Sequence, residues 1–144
     1  MRQPGSALVI LILLAGCGTR YALDKTSMSV PALRMTGAIV ATRGTRLTFE
    51  YAPEAARRVG VHAPGQEGAF TIQSLDRKQT YKLTAVDGIA VLPERTTVNA
   101  GTTLKFSLTF EPIPDDMWEF HVGEGKYDAA AGESSWQFLK VSLR

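Results

Sequence analysis

Leu104-Lys105-Phe106-Ser107-Leu108-Thr109-Phe110-Glu111 alternates large apolar and polar residues without a break. In an extended chain a period of two puts Leu104, Phe106, Leu108 and Phe110 on one face and Lys105, Ser107, Thr109 and Glu111 on the other. Four large side chains on one face predict a strand at the centre of a core. Pro112 and Pro114 lack the amide hydrogen a ladder needs, so the strand must end there.

Working outward, the same period recurs. Downstream, Trp118, Phe120 and Val122 alternate before Gly123-Glu124-Gly125, and Tyr127 to Ser135 reads as a small-residue loop. A last strand runs from Trp136 to Leu143, but its phase slips. Trp136 and Phe138 share one face, then Leu139, Val141 and Leu143 share the other, which predicts a β-bulge or burial on both faces. Upstream, Tyr81, Leu83 and Ala85 alternate with Lys82 and Thr84. Asp87-Gly88 follows, then Ile89-Ala90-Val91-Leu92, and Asp-Gly between two such runs predicts a tight hairpin because both residues tolerate positive φ. Phe70 and Ile72, Val59 and Val61, Leu47 with Phe49 and Tyr51, and Met35 to Ala41 supply the remaining short strands. Glu54 to Arg57 allows one helical turn at most, too short to be stable alone.

Eight or nine short strands, turn signals throughout and no long helical pattern predict an all-β fold. The expected architecture is an antiparallel two-sheet sandwich of immunoglobulin-like type, with a small closed β-barrel as the alternative. No Cys-Trp-Cys framework of an antibody domain is present.

The N-terminus sets the compartment. Arg2 precedes nine apolar residues, Ala7 to Ala15, and Leu14-Ala15-Gly16-Cys17 closes the run. A membrane-spanning helix needs about 20 apolar residues, so this run has the length of a signal-peptide core instead. The motif resembles the lipobox of bacterial lipoproteins. That resemblance implies a signal peptide over residues 1–16, cleavage between Gly16 and Cys17, and diacylglycerol on the Cys17 thiol with acylation of the new amine. Gly18 stands where Asp favours retention in the inner membrane. The implied location is therefore the bacterial cell envelope, lipid-anchored, at the outer membrane and facing the periplasm. Residues 17–31 are expected to form the lipidated cysteine and a tether, and residues 32–144 the β-sandwich domain.

Of the 144 residues, Cys17 is the only cysteine, so neither an intramolecular disulfide nor a cysteine-based metal site is available. Lys and Arg number 16 against 14 Asp and Glu, and no basic stretch is dense enough for nucleic acid. Residues 104–143 also resemble a pattern of uncharacterised extracytoplasmic β-domains: Phe110-Glu111-Pro112-Ile113-Pro114, then Phe120, Glu124-Gly125, and Trp136-Gln137-Phe138 leading to Val141 and Leu143. His121 stands where that pattern carries Asp. The resemblance implies an exported β-rich module and assigns no activity.

Chemistry-bearing residues are few. His62 and His121 are each candidate general bases or metal ligands. Glu111, Asp115, Asp116 and Glu119 cluster around two prolines without the spacing of a calcium loop. Ser107, Ser134 and Ser135 have no nucleophile-elbow context, and no phosphate loop, zinc motif or dinucleotide fingerprint occurs. No catalytic residue, metal or cofactor is assigned. Trp118, His121 and Tyr127 are the candidate binding residues, since exposed aromatics stack on sugars or anchor partners. The expected function is a non-enzymatic protein-binding or accessory module held to the membrane through Cys17. A glycan or small-ligand binding module is the alternative, and a hydrolase using His62 or His121 with a nearby carboxylate is the third reading.

Overall fold

A computed structural model describes residues 18–125 and 136–144 of the chain. Cys17 and the expected signal peptide over residues 1–16, together with Tyr127, Ser134 and Ser135, lie outside the described residues. The described chain is all-β, with ten strands and no helix. They are β1 (Thr19–Thr26), β2 (Leu33–Ala41), β3 (Gly44–Tyr51), β4 (Arg57–Val59), β5 (Phe70–Gln73), β6 (Thr80–Asp87), β7 (Thr96–Val98), β8 (Leu104–Phe110), β9 (Glu119–Glu124) and β10 (Gln137–Ser142).

Eight strands form one antiparallel sheet in the order β1-β2-β3-β8-β6-β5-β9-β10. β8, the strand of unbroken alternation, lies in its middle, with β3 on one side and β6 on the other. Phe106, Leu108 and Phe110 are buried as the period requires. β6 joins two layers. Its first residues pair with β5 and its later ones with β8, with a register shift between Leu83 and Ala85. Strands that change layer bend at such irregularities. The sheet curls until its outer strands approach at one corner, where the Met28 amide donates to the Gln137 carbonyl at 2.9 Å. The buried Ser27 hydroxyl donates to the same carbonyl at 3.1 Å and accepts the Val30 amide at 3.2 Å. The result has the layering of a sandwich and the near-closure of a small barrel.

The phase slip in the last strand is a β-bulge. Phe138 faces Val122 and Val141 faces Phe120, with Leu139 and Lys140 both opposite His121. Lys140 takes a φ of 55° to make the kink.

Three expectations need correction. The tether expected over residues 17–31 is instead largely an edge strand: Thr19 pairs with Val40 and Thr26 with Arg34. Tyr21 and Leu23 pack against the core, so the folded unit takes in the residues from Gly18 on and not only those from residue 32. The hairpin expected at Asp87-Gly88 is not formed. Gly88 does turn the chain at φ +87°, but β8 already holds the neighbouring position beside β6. Ile89 to Leu92 leaves the sheet, and Val91 bridges Val61 in parallel. The helical turn at Glu54 is also absent; Arg57 opens β4.

Because the strands alternate in direction, their ends segregate to two rims. The near rim carries Gly18, the β2–β3 turn at Thr42-Arg43, the β5–β6 turn, the 111–118 connection and Arg144. The far rim carries residues 27–32 and the long excursions 52–69 and 88–103, from which β4 and β7 pair as a separate ribbon. Gly125 and Trp136 also lie there. Core contacts run in step between the layers. Tyr51 meets Trp136 at 5.5 Å, while Phe49 meets Phe138 at 5.6 Å and stacks on Phe106 at 5.0 Å. Val59, Val61, Ile89 and Val98 close the core at the far rim, and Ile113 and Leu143 close it at the near rim. The buried Thr45 hydroxyl holds that lower plug by accepting the Ile113 amide at 3.2 Å.

Candidate functional site

The far rim gathers the side chains with chemistry. β9 ends in Gly123-Glu124-Gly125, where Gly123 has a packing reason and Gly125 a backbone one. A Cβ on Gly123 would collide with the Gln137 side chain, which crosses that position. From there the Gln137 amide donates to the Glu124 carbonyl at 3.1 Å. Gly125 takes φ +58° and its amide donates to Ala69 at 2.9 Å. This seats the loop from Val61 to Ala69 beside the end of β9.

Glu124 is half-buried, and its Oε1 accepts the Trp136 amide at 2.8 Å. Burial pushes its carboxyl above the usual carboxylate range; the Trp136 hydrogen bond and the nearby His62 work against that rise. His62 packs its imidazole flat on Gly68, where a Cβ would lie 2.6 Å from the ring. The structure therefore places a histidine near a shielded carboxylate that is remote from it in sequence. Beside them a groove of about 530 Å³ runs under the 65–69 loop. Gln66, Glu67, Thr71, Gln73 and Lys82 line it with hydrogen-bonding groups, over a floor that includes Phe70.

The sequence-derived candidates lie elsewhere. Trp118 is half-buried at the near rim, with the Arg144 guanidinium 4.0 Å from its ring centre. His121 lies on β9 opposite Gln73. Its Nδ1 accepts the Lys140 amide at 3.0 Å, so it fills the bulge of β10. Burial, and then the Arg77 guanidinium, hold its imidazole below the usual histidine range, against the Leu75 carbonyl. This is a structural role. Trp118 and Gly125 sit at opposite ends of β9.

The carboxylates grouped in sequence also disperse. Glu111 accepts the Lys82 amide at 2.8 Å and ends the β6–β8 ladder, while Asp116 and Glu119 line an open near-rim hollow. Among the described residues, no three His, Asp, Glu or Cys side chains converge as metal ligands. No described helix is long and apolar enough to cross a membrane. Comparison with known protein families, with curated proteins and with solved structures finds no match.

Sequence reading missed Glu124. The available signal was the glycine on either side of it, which marks a strand end where other chain segments approach closely.

Proposed function

We propose that this protein is a lipid-anchored module of the bacterial cell envelope that binds a protein partner without catalysing a reaction. The observation that carries this reading is the position of the Leu14-to-Cys17 motif, whose cysteine directly precedes Gly18, packed against Ile39 and Ala41, and Thr19, paired in the sheet. Acylation at Cys17 would hold the near rim at the membrane and present the far rim, with its long loops and the end of the groove beneath the 65–69 loop, to the periplasm. The groove is lined by hydrogen-bonding side chains of both signs, Glu67 and Lys82 among them, as suits an extended peptide or a protein loop.

Two measurements test this. Cys17→Ser is expected to release the protein from the membrane fraction, or to leave its signal uncut. A photo-crosslinking residue at Gln66 is expected to capture an envelope protein in living cells, while one at Arg58 on the exposed β4 does not. Membrane retention of the Cys17→Ser protein would overturn the anchor. Equal capture at both positions would overturn the groove. Hydrolysis of an envelope substrate, abolished by His62→Ala, would replace binding by catalysis through the His62–Glu124 pair.

A further inference from the structure

We propose that the near rim is itself a membrane-docking surface, seated in the headgroup layer through Leu75, Met117, Trp118 and Tyr81. The inference rests on acylation at Cys17. Its first support is the length of chain between anchor and fold. Gly18 is already in place: a Cβ there would lie 2.8 Å from the Ile39 side chain and 3.1 Å from Ala41. Thr19 is paired in the sheet. Neighbouring Cα atoms are about 3.8 Å apart, so acyl chains on Cys17 begin within one residue of the rim. With no slack, an anchor buried in the bilayer draws this rim onto the headgroups.

The second support is what the rim exposes. Leu75 is 42 % exposed, one of two large apolar side chains so placed among the described residues. Leu75, Tyr81, Met117 and Trp118 line one open hollow of about 540 Å³. Tryptophan and tyrosine favour the bilayer interface, and long cationic side chains lay their stems on apolar surface while their heads reach phosphate. The Arg144 guanidinium itself lies over the Trp118 ring, 4.0 Å from its centre, and places a cation beside the hollow. In the strand order β10, which ends beside Arg144, is the outer strand that curls round to meet β1. Asp76, Glu111, Asp115, Asp116 and Glu119 slightly outnumber Arg43, Arg77, Lys78 and Arg144 on this rim. Docking is thus driven by the anchor and the apolar side chains, and does not require anionic lipid.

The two tryptophans provide the test, since Trp118 is on the near rim and Trp136 on the far one. The acylated protein is reconstituted into phosphatidylethanolamine–phosphatidylglycerol vesicles with and without brominated acyl chains. In the Trp136→Phe variant, brominated lipid is expected to lower Trp118 emission about twofold. In the Trp118→Phe variant, Trp136 emission stays unchanged. Leu75→Asp, at an exposed position, is expected to weaken the quenching of Trp118 without changing the melting temperature. If Trp136→Phe does not fold, the difference in quenching between the native protein and Trp118→Phe gives the same quantity.

Unquenched Trp118 in vesicle-bound, acylated protein would overturn the docking, as would stronger quenching of Trp136. Trp118 that is open to iodide in vesicles but shielded in native envelopes would assign the rim to a protein and equally overturn it. Intact mass separates the two proposals. An unmodified Cys17 thiol defeats the anchored module and this inference together, whereas acylated protein with unquenched Trp118 defeats the docking alone.

Discussion

The two rims are built by different means. At the far rim, aromatic rings from both layers meet: Phe49, Phe70, Phe106, Phe138, Tyr51 and Trp136 form one connected set. Above them lie long excursions whose polar side chains face a groove. At the near rim the turns are shorter, and the core is plugged by Ile113 and Leu143 under residues 111–118 and the C-terminus. A rim that carries long loops needs a rigid floor, because loops alone pay heavily in conformational entropy to hold a geometry. The stacked rings provide that floor. The near rim has little loop to hold, and aliphatic plugs suffice.

The rims also respond to protons in opposite directions. His121, near one end of β9, has a lowered pKa. Its neutral form is favoured by folding, so its contribution is complete above the unfolded value and is lost as pH falls through the folded one. Glu124, at the other end, has a raised pKa. Its contribution is present at low pH and is lost as pH rises through the folded value.

The largest test of the contrast is to truncate a ring and a plug. Phe106→Ala is expected to cost about 3–5 kcal/mol, and Ile113→Ala about 2–5 kcal/mol, in urea unfolding. Phe106→Ala should also collapse the far-rim groove, seen as lost crosslinking at Gln66 under conditions where the protein remains folded. Ile113→Ala should leave that crosslinking intact. An Ile113→Ala variant that loses crosslinking while folded would show that the rims are not independent.

A smaller effect is expected at Gly123. An alanine there displaces the Gln137 side chain and its bond to the Glu124 carbonyl, costing about 1–3 kcal/mol as overpacking does. The companion change Gln137→Ala should recover part of that loss in the double variant, because the collision is then gone. Additive losses would place the strain elsewhere.

The smallest effects sharpen the proton contrast. His121→Asn keeps an acceptor for the Lys140 amide but cannot titrate. Its melting temperature should fall less than that of the native protein between pH 7 and pH 5, a window set by the ordinary histidine value of about 6.5 and the lowered folded one. Glu124→Gln keeps an acceptor for the Trp136 amide and removes a shielded charge, so its melting temperature at pH 7 should rise. Identical pH profiles in the native and His121→Asn proteins would remove His121 from the account.

What the sequence disclosed followed from where each strand lies. β8 has neighbours on both sides and a buried face, so its alternation is complete and its central position could be read directly. The bulge in β10 was legible because inward-facing residues on both sides of it had to keep their side. β1 was not legible. It pairs on one side only and carries Arg20, Asp24 and Lys25, with no residue of the strand fully buried, so little hydrophobic pattern distinguishes it from a tether. Asp87-Gly88 supplied a correct local turn but not its outcome, because the partner of β6 is β8, chosen by packing far along the chain. The His62–Glu124 juxtaposition is of the same kind. The glycines beside Glu124 mark a strand end, but only closure of the far rim brings Glu124 near His62.

The edge strand β1 has a mechanical consequence. If the bilayer holds Cys17 and a partner holds the far rim, any pull between them runs along the axis of β1. The pairs from Thr19–Val40 to Thr26–Arg34 then carry the load together, in shear, rather than opening one after another as a zip. A strand that looks like the weakest member of the sheet is oriented to resist the one force that such an attachment would impose.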